Sequence, residues 1–77
     1  MEYLSIEDQF KDILNNEEIS RIRDNELREI RERYWRKQLQ AFKAEHEIPD
    51  SLLEEVSNRL REAEKAEIAA YRKKHNL

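Results

Sequence analysis

The chain has 77 residues, 43% of them charged, a formal net charge of only −3, and no cysteine, glycine or threonine. One small domain is all that this length supports, and so little surface is buried at that size that self-association is expected as an aid to stability. The missing cysteines exclude a disulfide framework and a thiolate metal site and suit a reducing compartment, with the cytoplasm as the default. A single valine among so many charges disfavours strands and points to an all-α fold of long, solvated helices. No apolar run approaches the ~20 residues of a membrane span, and Met1-Glu2-Tyr3 lacks the basic start of a signal peptide.

Taken in chain order, Ser5 followed by Asp8 opens a first short helix over about 5–15, with Ile6, Phe10, Ile13 and Leu14 on one face. Asn15-Asn16 closes it, because Asn tolerates the left-handed conformation of a helix end and Asn16 can also cap the second helix. A continuous helix from Ser5 to about residue 46 is the alternative, since neither Gly nor Pro enforces the break. The second helix is expected over 17–46, with Glu17 and Glu18 at its positive end and Pro49 restricting Ile48 at its close. The third spans 51–75, opened by Ser51 with Glu54 and ended among Arg72, Lys73 and Lys74.

The two long segments carry heptads that mirror each other about Ile48-Pro49-Asp50. Leu27, Ile30, Tyr34, Ala41, Ala44 and Ile48 recur at steps of three and four before the turn, with Lys37 in the polar slot. Leu53, Val56, Leu60, Ala63 and Ala70 do so after it, with Glu67 in the polar slot. An antiparallel helical hairpin with bundle or coiled-coil packing brings Ala44 level with Val56, Ala41 with Leu60, and Tyr34 with Glu67. Tyr34, Lys37 and Glu67 then form a polar set in the seam, in which the phenol or the ammonium satisfies the carboxylate and fixes register. Charge agrees with this pairing: residues 1–20 and 44–66 are acidic while 21–43 and 67–77 are basic, so opposite signs come level on folding back.

Trp35, Leu39 and Phe42 are left out of the seam. At 100° per residue they stand roughly 100° or more from its centre and make a second apolar face. A first helix of about ten residues reaches only about 15 Å back, which leaves Leu39 and Phe42 uncovered unless it crosses at an angle. Such a patch marks an interface, most simply with a second copy, giving a homodimer.

Other chemistry is poorly represented. Arg28, Arg31 and Arg36 beside Tyr34 and Trp35 allow a second reading as a small helical nucleic-acid-binding regulator, but their angles scatter around the axis and Glu29 and Glu32 interrupt them. His46 and His75 lack the Glu-x-x-His spacing of a di-iron bundle, and His46 sits in an acidic cluster with Glu45, Glu47, Asp50, Glu54 and Glu55 that reads as a solvated tip. No nucleophile constellation or phosphate loop is present. The sequence therefore points to a non-enzymatic protein-interaction or regulatory module, with no cofactor and no metal, acting through helix-to-helix contacts.

Overall fold

Side-chain caps at Asn15 and Asp24 and the ring of Pro49 set the starts of three helices: α1 (Asn16–Ser20), α2 (Asn25–Lys43) and α3 (Asp50–Lys74). They are seen in a computed structural model that describes residues 2–44 and 47–77. The reading of His46 and Glu45 as part of an acidic tip lies outside those residues, as does the expected end of the second helix at residue 46.

The Asn15 carboxamide accepts from the Glu18 amide at 2.8 Å while the Glu18 carboxylate accepts from the Asn15 amide at 3.1 Å, a reciprocal capping box. Asp24 accepts from the Glu26 amide at 3.4 Å and starts α2. The second helix is thus two helices, not the single one over 17–46 expected from the sequence. Arg28 reinforces the break by donating to the Ile22 carbonyl at 3.0 Å and to the Asn25 carboxamide. α3 opens without a side-chain cap, so the expected Ser51–Glu54 box does not form; Pro49 occupies the capping position instead. It closes on Asn76 at φ 57°, with the Leu77 amide donating to Arg72 at 2.8 Å and the Asn76 amide to Lys73 at 3.4 Å, which satisfies carbonyls of the last turn.

The helix expected over 5–15 is absent. Ser5 does receive the Asp8 amide on its hydroxyl at 3.1 Å, but the turn so started is a short 3-10 helix over Asp8–Phe10 that Lys11 leaves at φ −56°, ψ 149°. Its supposed apolar face is divided: Leu14 is buried, whereas Ile6 and Ile13 are 63% and 68% exposed. The segment is instead laced onto the rest of the chain, with the Leu4 amide donating to Arg21 at 3.0 Å and the Arg21 guanidinium donating to Glu2 at 2.7 Å.

α2 and α3 pack on each other as a helical hairpin. Arg33 pairs with Glu67 at 2.9 Å and Glu26 with Lys74 at 3.3 Å, at the level that the mirrored pattern requires. Gln38 donates to the Ser57 carbonyl at 3.1 Å and Arg31 meets Glu64 at 2.9 Å. These two are offset from that level by about five residues, a little over one turn, a span that their long side chains bridge.

The inward stripe of α3 runs through Leu53, Val56, Leu60, Glu64, Ile68 and Tyr71, while the expected seam residues Ala63 and Ala70 face solvent. Five turns of a straight helix take about 18 residues, which carries Leu53 to Tyr71; a strict heptad drifts off that line by ~20° per repeat. On α2 the same effect turns Gln38 inward and leaves Lys37 exposed, its ammonium over the Tyr34 ring at 5.1 Å. Lys37 is therefore not a seam residue. Glu67 pairs with Arg33, and its carboxylate, followed by burial, pushes the Tyr34 phenol above its ordinary value.

The core sits at the open end of the hairpin. Leu14, Ile19, Ile22, Leu27, Ile30, Tyr34 and Tyr71 are its buried apolar residues, drawn from every segment except the hairpin tip, where Ala41, Ala44, Val56 and Leu60 are only half-buried. Tyr71 ties the α1–α2 break to the end of α3, donating its hydroxyl to the capping Asp24 and packing against Phe10 and His75 at centroid distances of 6.3 and 4.4 Å.

Burial, and then the hydrogen bond to Asp24, raise the Tyr71 phenol from 10.0 to about 12. A folded-state value above the unfolded one means that this stability is complete below pH 10 and is lost as pH rises to about 12. The melting-temperature difference between wild type and Tyr71→Phe is expected to shrink across that window. A difference that stays constant would show that the phenol titrates alike in both states.

Candidate interaction surface

One face of the hairpin carries an open groove of about 310 Å³. Trp35, Leu39 and Phe42 of α2 form one side, the Asp12–Asn15 segment the end nearer the core, and Arg61 and Glu64 of α3 the other side. The three aromatic and aliphatic residues share this face because they are spaced at steps of four and three on α2. Trp35 is half-buried and packs on the core, while Leu39 and Phe42 are 37% and 51% exposed. The Asp12–Asn15 segment borders the same groove and leaves Leu39 and Phe42 exposed. Exposed Ile13 lines the same groove, and the sequence reading, which placed Ile13 on a packed helix face, missed it.

The wall of the groove is built on Arg31, whose side chain is 2% exposed. Its guanidinium donates to the carbonyls of Gln9 at 3.2 Å, Lys11 at 2.7 Å and Asp12 at 3.3 Å, and its Nε lies 2.9 Å from the Glu64 carboxylate, close enough for an ion pair without the alignment of a hydrogen bond. One side chain thus holds the N-terminal segment, α2 and α3 together. Burial pushes Arg31 below its ordinary value and Glu64 above its own, each opposed by the charge of the other. The signal was present in the sequence: Arg31 lies four residues after Leu27, and Glu64 lies four from both Leu60 and Ile68, so each charge interrupts an inward stripe.

The arginines considered for nucleic-acid contact are not brought together. Arg31 is buried and engaged, Arg28 is engaged in the α1–α2 break, and Arg36 is exposed on α2. His75, at the end of α3, packs at a tilt against Tyr71 with its Nε2 3.4 Å from Glu26. No described helix is long and apolar enough to cross a membrane. Comparison with protein-family models, curated proteins and solved structures returns no match.

Proposed function

We propose that the protein is a non-enzymatic interaction module of the cytoplasm that self-associates through the face formed by Trp35, Leu39 and Phe42, with Ile13 beside them. The exposure of Leu39, Phe42 and Ile13 along one continuous groove carries this reading. Apolar side chains gathered on one face of a small domain favour association, each gaining part of the roughly 1.5–3 kcal/mol that a side chain gains between full exposure and full burial. Trp35 anchors the surface, because a large aromatic rooted in the core presents its ring with little ordering cost on binding.

Substituting Leu39 and Phe42 together with Ser is expected to leave the helical circular dichroism signal intact and to shift sedimentation to the monomer. Quenching of Trp35 fluorescence by a soluble quencher is expected to rise in parallel. A wild-type chain that sediments as a monomer at high concentration would defeat self-association as the role of this face.

A further inference from the structure

We propose that a second copy of the chain lies antiparallel across the groove, its direction set by a charge gradient along α3; this rests on the self-association proposed for the same face. At 3.6 residues per turn Asp50, Glu54, Arg61, Lys65 and Arg72 fall on one stripe of α3. Arg61 borders the groove beside Leu39 and Phe42, and Arg61, Lys65 and Arg72 line a second hollow of about 290 Å³ that continues from it. The stripe therefore runs along the same face as the apolar patch, acidic in its first half and basic in its second.

These charges are not matched by opposite charges within the chain. Among the described residues Asp50, Glu54, Arg61, Lys65 and Arg72 have no ion-pair partner, although Arg59 and Glu67 of the same helix do. Arg72 instead lies over the Phe10 ring at 4.6 Å.

A two-fold axis inverts the stripe, so Asp50 and Glu54 of one copy meet Arg72 and Lys65 of the other, whereas a parallel arrangement opposes like charges. For the ends to pair, the axis must pass near the middle of the stripe, at Arg61. That is the level of Leu39 and Phe42, so the arrangement that matches the charges also covers the apolar patch. Asp12, which lines both hollows, supplies the counter-charge where the two Arg61 side chains approach the axis.

Sedimentation of the full chain tests this with Glu54→Lys, Lys65→Glu and the two combined, circular dichroism confirming that each variant is folded. Each single reversal turns two symmetry-related attractions into repulsions and is expected to weaken the dimer about tenfold, while the double variant recovers wild-type affinity because both partners are exchanged. Double-variant affinity no better than that of the singles would overturn the antiparallel pairing. Silent single variants, with Leu39→Ser/Phe42→Ser still monomeric, would overturn it too and leave the groove as the dimer face. A monomeric wild type would overturn both and assign the groove to a segment of a different protein.

Discussion

Replacing Arg31 with Met is expected to lower stability by about 3–5 kcal/mol, the cost of removing one partner of a buried ion pair. The wild-type total for a chain of this length is on the order of 4–12 kcal/mol, so the loss is a large share of it. Three consequences add at one site. The Glu64 carboxylate loses its counter-charge, the carbonyls of Gln9, Lys11 and Asp12 lose their donor, and the N-terminal segment loses its tie to both long helices. The melting temperature is expected to fall by roughly 15 °C or more, and amides of residues 4–14 to exchange faster than those of α2 and α3. Adding Glu64→Leu to Arg31→Met is expected to restore part of the loss, because removing both charges is less harmful than stranding one. A single variant melting within a few degrees of wild type would show that water replaces the guanidinium at those carbonyls.

Arg31 also shows where the sequence ceases to be legible. Pro49 and the mirrored apolar pattern place the hairpin turn from local information, and the residues left over from the seam, Trp35, Leu39 and Phe42, do share one face of the hairpin. The signature at Ser5 and Asp8 is equally local, and its hydrogen bond forms. What it could not weigh is a guanidinium some twenty residues away that takes the carbonyls of Gln9, Lys11 and Asp12 out of any helical ladder, a tertiary interaction overriding a helix-start signal. Asp24 is hidden for a different reason: the step of five from Ile22 to Leu27 departs from the three-four rhythm, but neither Gly nor Pro marks the break, and only the Asp24 cap makes it. The exchange of Ala63 for Glu64, and of Lys37 for Gln38, on the inward faces comes from assuming a supercoiled 3.5-residue repeat where straight helices keep 3.6.

Leu27→Ala is the second large effect, expected at about 2–5 kcal/mol. Leu27 is wholly buried, as is Ile22, and both belong to the cluster that joins α1, α2 and the end of α3. The structure is a slab only 16 Å across its thinnest direction, so few side chains are enclosed on all sides and each cavity is a large fraction of the core. Leu60→Ala, at a half-buried seam position, is expected to cost less than Leu27→Ala, although the heptad pattern alone ranks Leu60 as a central knob. The order of these two effects locates the folding unit. With the core at the open end, Leu27→Ala is expected to lower the melting of the N-terminal segment and of the hairpin together in one transition, read by Trp35 fluorescence and by circular dichroism alike. Two separated transitions, or a greater loss from Leu60→Ala, would mean that the hairpin seam folds by itself and that residues 2–22 are only an attachment to it.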